Sequence, residues 1–268
     1  MEITQQLYHT YASKANSTLA WLATDTKEYF TQRLADEPNN PNLTYYKENP
    51  ITYRLNNYGF RTNIDFYDGI EGNVFLGCSH TMGIGLHLES TWAYKMNEYV
   101  GGNFLNLGVG GSGIGTGFRL LYGFKKILRP KNVFMFYPHI YRYEFFDTNP
   151  PIWRPIDVHS KLQGELMPLF VEKNNMEMYY YLHFNAIKTL CVELGASFYV
   201  VINGIKPNDY KRTFPNCARD MHFSPSDHIN IFEKYKHAYD NKINPPSRPS
   251  KFEELTPHPN KHRVYSDI

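Results

Sequence analysis

Short apolar runs alternate with segments of helical spacing along the middle of the chain. Four runs have the length and content of buried strands, at 74–76, 104–107, 132–137 and 197–202. Segments with apolar residues at helical spacing follow or precede them, at 86–100, 118–128, 176–194 and 227–239. Strands that alternate with helices form a parallel sheet covered by helices on both faces. The pattern therefore predicts an α/β protein with three layers, α/β/α.

Three segments fall outside this alternation and set the expected domain organisation. Residues 1–50 are predicted to be an N-terminal extension, with a capping box at 25–28, a helix after it and a break at 38–42. A strand at 51–55 then opens one α/β domain that runs to residue 240. Within it, 139–175 is rich in proline and aromatic residues, which predicts an irregular lid or rim. The proline-rich tail 241–268 is expected to form neither a helix nor a central strand.

Composition narrows the class of protein. The chain has 268 residues, of which 42% are hydrophobic, so it can bury a core. A net charge of +2 gives no indication of a nucleic-acid partner. Three cysteines without paired spacing argue against a disulfide framework and a zinc site. No apolar stretch approaches the ~20 residues of a membrane span, and no signal peptide is recognisable at the start, so we expect a soluble protein.

The first candidate for chemistry is a serine that follows the first core strand. The run at 73–86 goes from apolar residues into Gly77-Cys78-Ser79, with two more glycines close behind. A serine on a tight glycine-flanked turn at the carboxyl end of a strand is where α/β proteins hold a nucleophile. Backbone N–H groups of such a turn can also hold an oxyanion. The alternative interpretation is that Ser79 only caps a helix or stabilises a turn.

The second candidate is the glycine-rich run at 108–117, directly after the second strand. Its Gly108, Gly110 and Gly113 have the spacing of a dinucleotide fingerprint, but the segment about 20 residues on is basic where that fingerprint has an acidic residue. The other use of such a run is to bring a backbone N–H close to a ligand. We therefore expect it to act as a hydrogen-bond donor and not as a nucleotide site.

The third candidate lies in the loop before the last predicted helix. Asp220 and His222 stand two residues apart there, so that an imidazole and an orienting carboxylate can meet over the edge of the sheet. The alternative is that Ser224 or Ser226 caps the helix and that His222 is a surface residue.

Together these stretches resemble the SGNH (GDSL-type) hydrolases, over roughly residues 51–240. The run at 75–83 is similar to the first block of that family, 106–112 to the second, and 220–225 to the fifth; 53–61 is similar to a lead-in found in a subset of members. The resemblance implies a flavodoxin-like α/β/α fold. It also implies Ser79 as the nucleophile, Gly111 as an oxyanion donor and His222 as the base.

The sequence departs from the family pattern at three positions. Cys78 replaces the usual aspartate before the nucleophile. The third block lacks its asparagine, so we expect Arg142 or Tyr141 to supply a replacement donor. Asp220 stands one residue closer to His222 than the family's carboxylate does, which leaves its orienting role open.

The expected function is hydrolysis of carboxylic esters through an acyl-enzyme, with no metal or cofactor. The aromatic insertion favours a sugar-bearing substrate, and an O-acetyl group on a carbohydrate is the first expectation. Two alternatives stay open: a catalytically silent module that binds carbohydrate or protein, and an O-acyltransferase that uses the same residues.

Overall fold

A computed structural model describes residues 7–20, 27–137, 142–148, 151–157, 173–200 and 225–245. The strands, in chain order, are β1 (Thr18–Ala20), β2 (Thr52–Arg54), β3 (Ile70–Gly77), β4 (Phe104–Asn106), β5 (Leu128–Phe136), β6 (Arg142–Thr148), β7 (Pro151–Asp157) and β8 (Ser197–Val200). The helices are α1 (Lys27–Asp36), α2 (Pro41–Glu48), α3 (Ser79–Met82), α4 (Trp92–Val100), α5 (Ile114–Phe124), α6 (Lys173–Glu193) and α7 (Pro225–Asp240). None of the helices in this part of the chain has the length and apolar content needed to cross a membrane.

The predicted parallel sheet is confirmed. Four strands pair in the order β4-β3-β5-β8, and every pair is parallel. The chain leaves β3 for β4 on one side and then crosses back to β5 on the other side. In open α/β sheets, ligands bind beyond the carboxyl ends of the strands where the strand order reverses in this way.

The helices cover both faces because successive side chains of a strand point to opposite sides. Val74 and Leu76 of β3 pack in a cluster that includes side chains of α5 and α6. Phe75, between them, belongs to a second cluster with residues of α4 and α7. The chain is thus an α/β protein whose central strands are apolar on both faces, as expected for a buried parallel sheet.

The boundary between α5 and β5 differs from the prediction. The helix ends at Phe124, and residues up to 128, predicted to be helical, lead instead into a strand that starts at Leu128. This strand contains Pro130, which lacks an N–H for the sheet. A bulge in β5 accommodates it, since Gly72 pairs with Pro130 whereas the next residue of β3, Asn73, pairs with Asn132 and leaves Lys131 as the extra residue.

The insertion after β5 is more regular than predicted. Its described residues form an antiparallel hairpin in which β6 and β7 pair over their full length, from Arg142 opposite Asp157 to Thr148 opposite Pro151. Prolines fit here because a two-stranded ribbon has outer edges that need no backbone donors.

The N-terminal residues also contain more regular secondary structure than predicted. The expected break at 38–42 includes the start of a helix, α2, whose first residue is Pro41. Proline suits that position because its missing N–H has no partner in the first helical turn. Upstream, β1 pairs antiparallel with β2 to form a separate two-stranded sheet.

A buried histidine attaches the N-terminal segment to the core. His9 stacks on Phe60 with ring centroids 4.2 Å apart. Its Nε2 donates to the Tyr58 carbonyl at 2.9 Å, and its Nδ1 accepts from the Tyr11 N–H at 3.3 Å. Both ring nitrogens are therefore used by the neutral form. Burial, with a smaller repulsion from Arg119, lowers the pKa of His9 to about 4.

This histidine predicts a loss of stability in acid. The unfolded chain binds a proton near pH 6.5, whereas the folded chain resists it until pH 4, so the stabilisation is present above pH 6.5 and is lost as the pH falls toward 4. Across that window the free energy of unfolding should fall by roughly 3 kcal/mol because of this residue. Urea titrations at several pH values measure it. His9→Gln should flatten the dependence, whereas an unchanged slope would contradict it.

Candidate functional site

Ser79 lies at the turn that ends the central strand β3. The strand stops at Gly77, Cys78 occupies the N-cap, and Ser79 is the first residue of the short helix α3. A Cβ on Gly77 would lie 1.8 Å from Thr81 Oγ1 and 2.6 Å from the Phe136 carbonyl oxygen. Only glycine therefore fits at this position, where β3 lies beside β5 and leads into α3.

The interpretation of Ser79 as a capping residue is not supported. The N-cap is Cys78, and no side chain there caps the helix. Among the described residues, the Ser79 hydroxyl has no hydrogen-bond partner, although the residue is only 4% exposed. The Ser79 carbonyl, by contrast, accepts from the N–H groups of Gly83 and Ile84, at 2.8 and 3.1 Å. The turn is thus held by its backbone, and the hydroxyl takes no part in it.

The glycine-rich loop lies beside this turn. The Val109 N–H donates to the Gly77 carbonyl at 3.0 Å, and the Ser112 hydroxyl donates to the same carbonyl at 3.2 Å. Between them, Gly111 has a φ of +77°, in the region that favours glycine. Neither the Ser79 nor the Gly111 N–H is paired with another described residue. The structure thus brings the first two sequence blocks together at the carboxyl edge of the sheet.

Asn106 links the two loops. Its Nδ2 donates to the Arg61 carbonyl at 3.0 Å and to the Thr81 carbonyl at 3.4 Å. Its Oδ1 accepts from the Gly108 N–H at 2.9 Å. This residue is fully buried, so these bonds form where no solvent competes for them. A single side chain therefore fixes the glycine loop relative to the serine turn.

Arg61 holds the segment that directly follows Ser79, from residue 82 to residue 86. Its guanidinium donates to the carbonyls of Met82, Gly83 and Leu86. It also lies over the ring of Tyr53, 3.9 Å from the centroid. Burial lowers the pKa of Arg61 to about 10, so the group is still charged near neutral pH. The run that ends in Arg61 is recognisable in the sequence, but nothing in that run indicates this buried contact.

Tyr53 is the second residue that the sequence did not single out. Its hydroxyl accepts from the Gly85 N–H at 2.7 Å. It stands on β2, next to β1 in the small N-terminal sheet. The alternating pattern of residues 51–55 predicted a strand there but not the contact of Tyr53 with the serine turn. The region upstream of β3 therefore contributes to the site as well as to the core.

Arg142, predicted to replace a missing donor, starts the hairpin close to the glycine loop. A Cβ on Gly113 would lie 2.2 Å from the Arg142 carbonyl oxygen, so the two backbones are in close contact. The Arg142 side chain is half-buried. Its neighbour on the same face of the hairpin, Glu144, forms a buried ion pair with Arg119 of α5 at 2.7 Å. These contacts attach the hairpin to the helix that follows the glycine loop.

The remaining predicted residues, Tyr141, Asp220 and His222, lie outside the described residues. The helix that follows the last two is described. In its first turn, His228 Nδ1 accepts from the Trp92 N–H at 3.0 Å, and Tyr235 stacks on Trp92 with centroids 4.7 Å apart. The start of α7 thus meets the start of α4, on the face of the sheet to which Phe136 at the end of β5 also points.

Comparison with known proteins adds no further identification: no protein-family profile matches the chain, and no curated protein matches it.

The buried guanidinium predicts a large effect on stability. Arg61→Lys keeps the charge but cannot reach three carbonyls, so it leaves buried acceptors unpaired at about 1–3 kcal/mol each. We expect the free energy of unfolding, measured in urea, to drop by roughly 3 kcal/mol or more. The matched control is Arg54→Lys. That residue pairs with Asp65 at 3.4 Å on an exposed surface, and its loss should cost under about 1 kcal/mol. Equal effects would show that Arg61 does not hold the turn.

Proposed function

We propose that the protein is a serine hydrolase that cleaves carboxylic esters through an acyl-enzyme. One observation carries the proposal above the others: Ser79 starts a helix at the carboxyl end of the central strand, beside a hydrogen-bonded glycine loop. The sheet order β4-β3-β5-β8 agrees with the first four strands of the flavodoxin-like order 2-1-3-4-5, which the resemblance to SGNH hydrolases implies.

In the proposed mechanism His222 accepts the proton of Ser79 while the Ser79 Oγ attacks the ester carbonyl. The tetrahedral intermediate collapses when His222 gives that proton to the leaving alcohol. A water molecule then attacks the acyl-enzyme, with His222 again as the base. Release of the carboxylic acid restores the serine. Asp220 orients the imidazole and stabilises its charged form.

Backbone donors hold the oxyanion in this mechanism. The N–H groups of Ser79 and Gly111 are not used by other described residues, which makes them available for an oxyanion. Since the family's asparagine is missing, Arg142 or Tyr141 supplies a further donor, or the oxyanion is held by the backbone alone. The support for Arg142 is the close approach of its backbone to Gly113 in the glycine loop.

Carbohydrate O-acetyl esters are the substrate class we favour, because aromatic side chains are abundant in the hairpin and in the helices next to it. If a sugar hydroxyl attacked the acyl-enzyme in place of water, the same residues would catalyse acyl transfer. A protein without turnover would be a binding module.

The nucleophile can be tested directly. Ser79→Ala should abolish turnover of a short-chain aryl acetate and labelling by a phosphonate ester, because both need the serine oxygen. Ser90→Ala, in the turn eleven residues further on, is the matched control and should retain both. Mass spectrometry locates the label. Turnover that persists in Ser79→Ala, or a label elsewhere, would refute the assignment; no turnover in the wild type would favour the binding module.

We expect different effects from loss of the base, His222, and from loss of the carboxylate that orients it, Asp220. His222→Gln should be nearly as damaging as Ser79→Ala, and wild-type kcat/KM should fall in acid because only the neutral imidazole accepts a proton. His237→Gln, an exposed histidine on α7, serves as the control. Asp220→Asn should lower kcat by about 10⁴ if this carboxylate holds the ring. A loss of only a few-fold, with the fold intact by circular dichroism, would indicate a Ser–His pair without Asp220.

A further inference from the structure

A cavity of about 360 Å³ lies between α5, α6 and the β6–β7 hairpin. Its volume is in the range of sites that bind small molecules. Five of the eight residues around it carry aromatic rings or an imidazole. The lining consists of Gly115, Phe118, Arg119 and Tyr122 from α5, Glu144 and Trp153 from the hairpin, and Tyr179 and His183 from α6.

The charged residues of the cavity neutralise each other. Arg119 donates from Nε and Nη2 to the two oxygens of Glu144, at 2.7 and 2.8 Å, and Thr116 donates to the same carboxylate at 2.7 Å. The remaining Nη1 donates to the Tyr8 carbonyl at 2.9 Å. Arg119 also lies over the ring of Trp153, 4.6 Å from its centroid. Because this bidentate pair is buried and already satisfied, the cavity offers no net charge to an ionic ligand.

Other residues of the lining present aromatic rings with a few polar atoms. The rings of Tyr179 and His183 are 4.2 Å apart, and Phe118 lies 6.1 Å from His183. The imidazole Nδ1 donates to the Tyr179 carbonyl at 2.8 Å, which leaves Nε2 as an acceptor on the side facing Gly115. Burial raises the pKa of the Tyr179 hydroxyl, so the hydroxyl stays protonated and can donate.

The cavity is close to the proposed oxyanion loop. Gly115, in its lining, follows Gly111 by four residues, so their Cα atoms are separated by at most about 14 Å. Between them, Gly113 is in contact with the backbone of Arg142, two residues before Glu144. The same helix start and the same hairpin therefore border both the cavity and the loop.

We propose that this cavity binds an uncharged pyranose ring of the ester substrate. Its walls offer aromatic faces to the C–H groups of a sugar ring, and Tyr179 and His183 offer a donor and an acceptor to its hydroxyls. The absence of net charge disfavours phosphates and nucleotides. The substrate role of this sugar rests on the proposed ester-hydrolase function. Binding of a pyranoside to the cavity does not, and it can be measured in a protein that has no turnover.

The test therefore uses the Ser79→Ala protein. Dissociation constants are measured by saturation-transfer NMR for the methyl pyranosides of glucose, galactose, mannose and N-acetylglucosamine, with benzyl alcohol as the aromatic comparison. Two variants alter the cavity. Tyr179→Phe removes one hydroxyl, and Gly115→Ala adds a Cβ that would lie 2.0 Å from that hydroxyl, so the tyrosine must move. Tyr181→Phe, partly exposed on the same helix and outside the lining, is the matched control.

We expect at least one pyranoside to bind, with affinity about fivefold weaker in Tyr179→Phe and at least tenfold weaker in Gly115→Ala, and unchanged in the control. The proposal is overturned if no pyranoside binds, if the two variants bind as well as the control, or if only benzyl alcohol binds. Because Tyr179→Phe keeps the ring and removes a single oxygen atom, it decides the question even if Gly115→Ala is unstable. Failure of the ester-hydrolase proposal would appear instead as aryl acetate turnover that survives Ser79→Ala.

Discussion

A buried positive charge organises the region around Ser79. Removing a guanidinium from water is costly, and the structure compensates Arg61 with three carbonyl oxygens and the face of Tyr53. Those carbonyls belong to Met82, the last residue of α3, and to Gly83 and Leu86 after it, where a helix end leaves acceptors without intrahelical donors. The charge and the turn therefore depend on each other: the turn satisfies the arginine, and the arginine fixes the path of the chain after Ser79. Since Tyr53 lies on β2, the small N-terminal sheet is part of this arrangement.

Close backbone contacts provide the second constraint. Gly77 allows the strand to turn next to Thr81, Gly108 passes beside the Met82 N–H, and Gly113 touches the Arg142 carbonyl. A side chain at any of these positions would collide with atoms that have little freedom to move. Main-chain contacts thus account for Gly108 and Gly113 of the glycine run, and a left-handed conformation accounts for Gly111, so these positions need no bound nucleotide to explain them.

Sequence reasoning found the sheet because buried parallel strands are continuous apolar runs, and it found the serine turn and the glycine loop because both follow such runs directly. It missed what depends on pairing between distant segments. The helical pattern near residue 124 continued into β5, since only the pairing with β3 and the bulge next to Pro130 define where the strand begins. The hairpin of β6 and β7 was hidden by its prolines. Arg61 gave no local indication of its three carbonyl partners, which lie 21 to 25 residues away.

Helix α5 connects the glycine loop with the aromatic cavity. Its N-terminal end is the glycine loop that bonds to the end of β3, and its side carries Gly115, Phe118, Arg119 and Tyr122 at helical spacing along the aromatic cavity. A helix is stiff over this length, so α5 would fix the distance between a ligand ring in the cavity and a carbonyl group at Gly111, three residues before the helix starts. The Arg119–Glu144 pair then positions the hairpin on that helix. A ligand bound in the cavity would therefore be held at a fixed position relative to the groups at Gly111. Such fixed positioning lowers the entropic part of a reaction barrier.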